Sequence, residues 1–384
     1  MEASGELDEA WFSARARGGI GGLRAYDPGH DLVALRERHA LREPGGFGLV
    51  ELGSNENPYG PSPDARAAIL DQLHQLHRYP DPRGSGLKRA LARHHGVREN
   101  QIQLGNGSHE LLMQLAQVFA APGDEVVVPQ FGFAVFSLAA QASGAAVRVA
   151  PALPASDAMP LGHDPRSVLD ALTPRTRLLY LANPNNPTGT WLPGAAIEQL
   201  VQAVPREVIV VVDEAYAELV DDAQFTSATA LLDRHPNLVV TRTFSKAYGL
   251  AGLRVGYLLA APGLVAVMER VRESFNVGGP ALAACAAALA DEAHLQWVRQ
   301  RNAEQRAQLG ERLRARGLRV FPSQTNFLLV DFGRDAGAVE AALLDRGVVL
   351  RPMRGYGLSH CLRVTVGTRD ENLRFLAALD LVLA

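Results

Sequence analysis

Lysine is scarce in this chain, and one of its lysines lies in an unusual sequence context. Lysines and arginines together number 38 among 384 residues, and only Lys88 and Lys246 are lysines. Apart from Arg242 and Arg254, the residues around Lys246 are small, hydroxylic or apolar, which does not suit a solvated surface lysine. A desolvated amine can form an imine with a carbonyl compound, whereas a guanidinium cannot. We therefore predict that Lys246 reacts as an amine.

An acidic residue ends one of the apolar runs. Asp213 directly follows Val208–Val212, a run that is typical of a buried strand. A carboxylate at such a position is costly unless a cation or hydrogen-bond donors face it. The protonated ring nitrogen of an organic cofactor would be such a cation, and the carboxylate would hold that ring as an electron sink. A helix N-cap is the simpler alternative.

Amide, hydroxyl and guanidinium side chains follow two neighbouring runs. Asn183–Gly189 comes after Leu178–Leu181, and its asparagines offer amide donors that suit a phenolic oxygen, with a plain rigid turn as the alternative. Thr243, Ser245 and Arg254 lie in the same segment as the reactive lysine and suit a phosphate group. Ligands of an open parallel sheet bind beyond the carboxyl ends of its strands, where we expect these residues to lie.

A glycine-rich turn, Leu104–Glu110, precedes the helical pattern Glu110–Phe119. Free backbone amides at a helix N-terminus bind phosphate. A dinucleotide site would need the pattern G-x-G-x-x-G, and Glu110 stands where the third glycine should be. His109 could be a metal ligand, but a lone histidine in a turn is more often a hydrogen-bonding residue. The turn alone is weak evidence for a phosphate site.

Short apolar runs alternate with helical patterns from about residue 51 onwards. Runs that are apolar on both faces and separated by helices predict a mainly parallel sheet covered on both sides. The runs are Glu125–Val128, Ala146–Val149, Leu178–Leu181, Val208–Val212, Leu238–Val240 and Val255–Leu259, with helical spacing at Glu110–Phe119 and Ala195–Val204 between some of them. The chemistry-bearing residues described above follow these runs.

The chain is expected to have three parts. An N-terminal arm over residues 1–50, with a short helix near Asp31–Arg42, would pack on the small domain or on a partner subunit. A large domain would cover residues 51–277, and a small α/β domain would cover residues 278–384 after a Gly-Gly-Pro break. Within the small domain, the sequence predicts a helical stretch to about Arg316 and two further helices, Ala336–Arg346 and Glu371–Leu383. It predicts strands at Leu318–Phe321, Asn326–Val330, Val348–Arg351 and Leu362–Val366.

Composition narrows the class of protein. A formal net charge of -3 gives no broad electrostatic footprint for nucleic acid or an acidic membrane surface. Cys285 and Cys361 form no C-x-x-C pair, so we expect neither a metal site nor a disulfide framework. The first residues are acidic, unlike a secretory signal, and Ala281–Ala290 is too short to span a bilayer. These features favour a cytoplasmic protein.

Taken in order, the motifs resemble those of fold-type I pyridoxal-phosphate aminotransferases, and in particular the histidinol-phosphate aminotransferase subgroup. The resemblance spans roughly residue 26 to the C-terminus and is more specific for fold and cofactor than for substrate. It implies an α/β fold with a large, mainly parallel sheet flanked by helices and a smaller C-terminal α/β domain. The motifs that carry it are Ser54–Pro61, Arg78–Asp81, Asn183–Gly189, Asp213–Tyr216, Ser245–Arg254 and Leu362–Thr368.

The resemblance implies roles around the ring of pyridoxal 5'-phosphate. Lys246 would form a Schiff base with the cofactor and later move a proton between the substrate Cα and the cofactor. Asp213 would pair with the pyridine nitrogen, and Asn186 and Tyr216 would hydrogen-bond the phenolic oxygen. Phe133 would stack on the ring, at a position where the family more often has tyrosine.

The resemblance also implies contacts to the cofactor phosphate. The residues expected there are Ser108 and His109 through backbone amides, and Thr243, Ser245 and Arg254. His109 stands where the family more often has an acidic or amide residue. Tyr79 would reach the phosphate in the partner subunit, so a homodimer with shared active sites is part of the prediction.

The substrate would be bound through its anionic groups. Arg363 would pair with a carboxylate or phosphate, assisted by Arg351, and Tyr26 and Asn55 would line the same pocket. The implied reaction converts histidinol phosphate and 2-oxoglutarate to imidazole acetol phosphate and glutamate, in histidine biosynthesis. An aminotransferase for phenylalanine is the nearest alternative. A decarboxylase of a phosphorylated amino acid and a non-catalytic cofactor-binding regulator are more distant ones.

Overall fold

Helices and strands alternate along the chain in a computed structural model that describes residues 9–23, 25, 29–42 and 48–384. The helices are α1 (Glu9–Ser13), α2 (Leu32–Arg42), α3 (Pro63–Gln72), α4 (Ser85–His95), α5 (Gly107–Phe119), α6 (Ala134–Ser143), α7 (Pro165–Asp170), α8 (Gly194–Ala203), α9 (Pro262–Met268), α10 (Gly279–Ala290), α11 (Glu292–Arg314), α12 (Gly337–Asp345) and α13 (Arg369–Leu383). The strands are β1 (Val50–Glu51), β2 (Ile102–Asn106), β3 (Glu125–Pro129), β4 (Ala146–Ala150), β5 (Thr176–Ala182), β6 (Ile209–Asp213), β7 (Leu238–Thr243), β8 (Val255–Ala260), β9 (Arg319–Val320), β10 (Phe327–Asp331), β11 (Val348–Val349), β12 (Arg351–Pro352) and β13 (Cys361–Thr365).

The larger sheet has seven strands in the order β2-β8-β7-β6-β5-β3-β4. The pairs from β4 to β7 are parallel, while β8 runs antiparallel to both of its neighbours, β7 and β2. The prediction of a mainly parallel sheet is therefore confirmed. Because β8 is reversed, its first residue lies beside the last residues of β7 and β2 rather than at the far edge of the sheet.

Both faces of this sheet are covered by helices. Leu178 and Tyr180 of β5 lie in a core with α5, α6 and α9, whereas Leu179 and Leu181 lie in the opposite core with α4, α8 and α10. Successive side chains of a strand point to opposite faces, so a strand buried on both faces must be apolar at every position. The apolar runs of the sequence reflect this double burial.

The smaller sheet is antiparallel, with the order β12-β13-β10-β9. A third core contains Leu309 of α11, Leu343 of α12 and Phe375 of α13 together with residues of this sheet. Residues of β1 pair with β11, and His30 Nε2 lies 2.6 Å from Glu340 Oε1 of α12, so residues before the large sheet contact C-terminal elements. Helix α10 packs against α3 and α4. The predicted domain limits at residues 50 and 277 stay a prediction.

Several elements differ from the sequence-based expectation. The segment Ile102–Asn106 is a strand rather than part of a turn, and its burial follows from pairing with β8. The long C-terminal helical stretch is two helices, separated at Asp291, whose side chain caps α11 by accepting a hydrogen bond from the His294 amide. The predicted strand Val348–Arg351 is divided between two sheets. Within the described ranges no helix is both long enough and apolar enough to cross a membrane.

Candidate active site

Lys246 lies in the loop between β7 and β8 and is half-buried. Its Nζ donates hydrogen bonds to the backbone carbonyls of Asn55, at 3.1 Å, and Ser54, at 3.4 Å. Burial lowers the pKa of Lys246 to about 8, and the Arg363 guanidinium acts in the same direction. Burial disfavours the charged form of an amine. About a tenth of this amine is therefore neutral, and nucleophilic, at pH 7, far more than for an ordinary lysine.

Asp213 is the last residue of β6 and is 4% exposed. The Thr241 hydroxyl, from the register partner on β7, donates a hydrogen bond to Asp213 Oδ1 at 2.8 Å. Burial and the adjacent Glu214 carboxylate raise the pKa of Asp213 to about 6, whereas Thr241 and Lys246 act in the opposite direction. The next helical turn, 217–219, has Tyr216 as its N-cap, so the simpler expectation of an Asp213 helix cap is wrong.

Asn55 and Tyr216 form a buried pair next to the lysine. Asn55 Nδ2 donates to the Tyr216 hydroxyl at 2.9 Å, and Lys246 Nζ lies 5.8 Å from the centre of the Tyr216 ring. The Tyr216 ring packs edge-on against Phe327 of β10, with 5.4 Å between ring centres. The Asn55 backbone amide donates to Thr365 Oγ1 at 2.9 Å. Asn55 is 1% exposed, and its predicted substrate contact stays a prediction.

The asparagines after β5 have different surroundings. The side chain of Asn183 exchanges hydrogen bonds with the backbone of Leu192, and Asn185 donates to the Phe131 carbonyl, so both stabilise the local loop. Asn186 instead accepts a hydrogen bond from Arg363 Nη1 at 2.6 Å. Of the three, Asn186 is therefore the one directed toward the predicted substrate arginine.

Strand register brings the predicted phosphate-binding residues together. In the antiparallel pairs of β8, Val255 lies opposite Asn106 and Gly256 lies opposite Thr243. The N-terminus of α5 therefore lies beside the end of β7 and Arg254. A Cβ atom on Gly256 would lie 2.3 Å from the Ser108 amide nitrogen, so glycine is required for this close approach.

The same cluster has the donors that a phosphate group needs. Arg254 Nη1 donates to the Ser245 hydroxyl at 3.3 Å, and the Thr243 hydroxyl donates to Ser245 Oγ at 3.0 Å. Gly107, the first residue of α5, has φ +76°, and a Cβ atom there would lie 2.5 Å from Arg254 Nη2. The pKa of His109 is lowered by burial and by Arg254, which favours a neutral imidazole. A guanidinium and the free amides of a 13-residue helix suit a phosphate.

The remaining predicted residues lie around this centre or beyond it. Phe133 is half-buried directly before α6, at 6.0 Å from the Phe136 ring. Arg351 of β12 lies opposite Arg363 of β13 in the strand register. Tyr79 is 83% exposed and stacks on Phe275 at 4.6 Å. The predicted pocket residue Tyr26 lies outside the described residues.

Comparison with known proteins identifies the family. The family model described as aminotransferase class I and II matches residues 48–379. The chain is 46% identical to histidinol-phosphate aminotransferase 1 of Nitrosococcus oceani over 98% of this chain and 99% of that protein. The chain belongs to the class I and II aminotransferases. Its similarity to histidinol-phosphate aminotransferase 2 of Pseudomonas aeruginosa, 46% identical over 97% of this chain and 99% of the relative, places it in the histidinol-phosphate group of that family.

Solved structures of this aminotransferase family have the same fold. The histidinol-phosphate aminotransferase of Sinorhizobium meliloti, solved in complex with pyridoxal-5'-phosphate, superposes with a TM-score of 0.84 at 33% identity. The alignment covers 96% of this chain and 98% of that one. The predicted fold class and family are thereby confirmed over nearly the whole length of the chain.

The sequence-based prediction missed several buried polar residues of this aminotransferase. No role was predicted for Thr241, although it is the hydrogen-bond partner of Asp213. Arg242 and Glu214 were passed over, yet they form a buried ion pair. The signal was present in the sequence, since an arginine at a β-strand end between two threonines must either reach solvent or find an acidic partner.

One group of possible metal ligands lies away from these residues. Ligand atoms of Asp331, His360 and Cys361 lie within 4.8 Å of one another. His360 Nε2 is 3.7 Å from Asp331 Oδ2, and burial raises the pKa of the Cys361 thiol to about 12. Asp331 lies at the opposite end of β10 from Phe327, which contacts Tyr216. We assign no metal to this group.

The Asp213 carboxylate should lower the free energy of unfolding of the cofactor-free aminotransferase. Its pKa of about 6 in the folded state exceeds its value of roughly 4 in an unfolded chain. The folded state therefore holds a proton that the unfolded state loses, and stability falls as pH rises from about 4 to 6. Asp213→Asn should raise the free energy of unfolding of the cofactor-free protein by up to about 3 kcal/mol at pH 8, and by about half as much at pH 5. Urea unfolding at both pH values measures this, and an equal effect at the two values would contradict it.

Proposed function

We propose that this protein is a pyridoxal-phosphate-dependent aminotransferase that converts histidinol phosphate and 2-oxoglutarate to imidazole acetol phosphate and glutamate, in histidine biosynthesis. The observation that carries the proposal is the meeting of three groups at one edge of the large sheet. These are an amine of lowered pKa, a buried carboxylate, and a helix N-terminus beside an arginine. The names of the relatives support the choice of substrate.

The residues of this edge fit pyridoxal 5'-phosphate at each of its polar groups. Asp213 is a buried carboxylate at the end of β6, which suits a protonated pyridine nitrogen. Arg254 and the first amides of α5 suit the phosphate. When bound, the cofactor supplies an aldehyde for Lys246 and a ring that withdraws electrons from the substrate Cα.

Lys246 moves the proton in this proposal. The backbone carbonyls of Ser54 and Asn55 hold the amine when it is not bound to the cofactor. A pKa of about 8 leaves the amine able both to accept a proton from Cα and to return it near neutral pH. The amine therefore serves as nucleophile and as general base.

Tyr216 and Asn186 are the proposed partners of the cofactor's phenolic oxygen. The Tyr216 hydroxyl oxygen accepts a hydrogen bond from Asn55 Nδ2, and a phenol can donate as well as accept. The Asn186 oxygen accepts from Arg363, which leaves the Asn186 amide as the donor. The half-buried ring of Phe133 is the proposed stacking partner of the pyridine.

Two arginines are the proposed sites for substrate anions. Arg363 is held by the Asn186 side chain and by the Gly53 carbonyl, which accepts from Nη2 at 2.7 Å. Arg351 lies directly across the strand pair. Residues directly opposite in an antiparallel pair lie on the same face of the sheet, so one anion can contact both guanidiniums. Such a pair suits a carboxylate in one half-reaction and a phosphate in the other, as a ping-pong mechanism requires.

A homodimer with shared active sites is part of the proposal. Tyr79 and Phe275 stack on the surface of the single chain, and Leu70, Leu73 and Leu76 are 65%, 48% and 64% exposed nearby. A groove of about 580 Å³ lies beside them, lined by residues of α3, α4, α10 and the connecting segments. An exposed apolar surface of this kind is typical of a subunit interface. We further propose a cytoplasmic location, and domains of residues 51–277 and 278–384 with an arm over residues 1–50.

The two lysines provide a matched test of the cofactor chemistry. Lys246→Ala should abolish turnover and the visible absorbance of the lysine-linked cofactor, because the other lysine of the sequence, Lys88, is paired with Glu269. Lys88→Ala removes an ion pair with Glu269 and should retain both properties, with a stability change within about 1 kcal/mol. Steady-state assays and absorbance spectra of both variants measure this. Normal turnover by Lys246→Ala would exclude the mechanism.

The two arginines provide a test of the substrate. The ratio of kcat/KM for histidinol phosphate to that for phenylalanine, with 2-oxoglutarate as acceptor, should greatly exceed one. Arg351→Ala should lower kcat/KM for histidinol phosphate about 10- to 100-fold and leave that for phenylalanine nearly unchanged. Arg363→Ala should lower both, since Arg363 is the proposed partner of the phosphate of histidinol phosphate and of the carboxylate of phenylalanine. A ratio near one would make the protein a broad aromatic aminotransferase.

Subunit mixing tests the shared active site. Tyr79→Phe should weaken cofactor binding, and Lys246→Ala should be inactive. If Tyr79 serves the partner's cofactor, a heterodimer of these two variants contains one site with both native residues, and mixing should restore activity above that of either variant. Assays at saturating and limiting cofactor measure this after refolding the mixture. Activity that never exceeds that of the separate variants would exclude the shared site.

A further inference from the structure

A buried group of charged residues lies directly behind Asp213. Arg242 Nη2 lies 2.7 Å from Glu214 Oε2, and Arg242 Nη1 lies 2.8 Å from Glu218 Oε1. The side chains of Arg242, Glu214 and Glu218 are 8%, 1% and 6% exposed. Arg242 also donates to the Ser227 hydroxyl at 2.9 Å. We call Arg242, Glu214 and Glu218 the rear cluster.

The rear cluster and Asp213 lie on opposite faces of the large sheet. Val211 and Val239 point into the core with α5 and α6, and the alternation of side chains along β6 and β7 places Asp213 and Thr241 on that face. Glu214 directly follows Asp213, and Arg242 directly follows Thr241, so both side chains point to the other face of the sheet. The proposed cofactor site and the rear cluster are therefore separated by the backbone of two strands.

Glu214 is fixed at both its backbone and its side chain. Its amide donates to the Thr241 carbonyl at 2.9 Å and so extends the pairing of β6 with β7 past Asp213. Its carboxylate accepts from Arg242, from the Ser227 hydroxyl at 2.7 Å and from the Ala228 amide at 2.7 Å. Because Glu214 cannot shift, the neighbouring Asp213 is held opposite Thr241.

The rear cluster also has an excess of negative charge. It contains one guanidinium and two carboxylates, and the Glu214 charge raises the pKa of Asp213, second only to burial among the causes that raise it. A negative potential at this point favours a proton on a ring nitrogen bound to Asp213. Without Arg242 the two carboxylates would face each other unpaired in the core, which is costly.

Other titratable groups near Arg242 do not change this balance. The Tyr257 and Tyr248 pKa values are raised by burial, so both phenols are neutral. Burial lowers the pKa of His95 to about 3, and its Nε2 lies 2.9 Å from the Tyr257 hydroxyl. The pKa of His94 is also lowered by burial. On the other face, Lys246 faces Asp213. The charge behind Asp213 is therefore set by the rear cluster.

We propose that Arg242 is a positioning residue for the transamination, which together with Glu214 and Glu218 holds Asp213 in place and sets the negative potential behind it. The inference rests on the proposed function, because it assigns Asp213 to the cofactor ring. Arg242 acts through Glu214 and touches neither the cofactor nor the substrate. Removing a positive charge and removing a negative charge from the rear cluster must then shift the pH midpoint of the bound cofactor's absorbance in opposite directions.

The test compares the pH midpoint of the bound cofactor's absorbance in three variants. Arg242→Gln removes a positive charge and should raise the midpoint, while Glu218→Gln removes a negative charge and should lower it, each by roughly half a pH unit or more. Glu198→Gln, which removes an exposed ion pair with Arg234, is the control and should leave the midpoint unchanged. In Glu218→Gln, kcat should fall about 3- to 10-fold with KM nearly constant.

Thermal unfolding of the cofactor-free variants separates positioning from mere stability. If Arg242→Gln and Glu218→Gln lower the unfolding temperature but leave the midpoint and kcat unchanged, the rear cluster is structural and the inference is wrong. If Arg242→Gln does not fold, the direction of the Glu218→Gln shift decides, since an upward shift or none overturns the inference. A wild-type protein without lysine-linked cofactor would instead refute the proposed function, so the two failures are distinct.

Discussion

The active site depends on one buried negative charge, the Asp213 carboxylate at the end of β6. It is 4% exposed, and burial raises its pKa to about 6. A carboxylate in such a place is tolerated when donors and cations are arranged around it. Thr241 supplies a hydrogen bond on the same face, and Lys246 lies on the adjoining loop. Under the proposed function, the stability lost at Asp213 is recovered when a cationic ring binds at this edge of the sheet.

The segment that follows β1 links this edge to the smaller sheet. The carbonyl of Asn55 accepts from both Lys246 and Asn326 Nδ2, the latter at 2.9 Å, and its amide donates to Thr365. Arg363 of the smaller sheet contacts Asn186 in the loop that follows β5 of the large sheet. Because the same few residues contact the reactive amine and the second sheet, a shift of the smaller sheet also displaces the groups that hold the amine.

Much of the fold and of the site could be predicted because it depends on local patterns. The run Val208–Val212 followed by Asp213 specifies a doubly buried strand with a carboxylate at its end, and the structure has both. The strand Ile102–Asn106 was not predictable, because its burial comes from pairing with β8 across about 150 residues of chain. The contact of Asn55 with Tyr216 and the rear cluster around Arg242 are likewise long-range, and their partners leave no periodic signal in the sequence.

The reversal of β8 has a consequence for how the chain reaches its native state. A parallel continuation after β7 would have needed a helical crossover, whereas the antiparallel pairing needs only the loop 244–254. Lys246 and Arg254, which are proposed to hold opposite ends of one ligand, therefore belong to a single hairpin. Contacts of short sequence separation form early and with little loss of chain entropy. Lys246 and Arg254 can thus be brought together as soon as β7 and β8 pair, whereas the α5 amides reach Arg254 only when β2 pairs with β8.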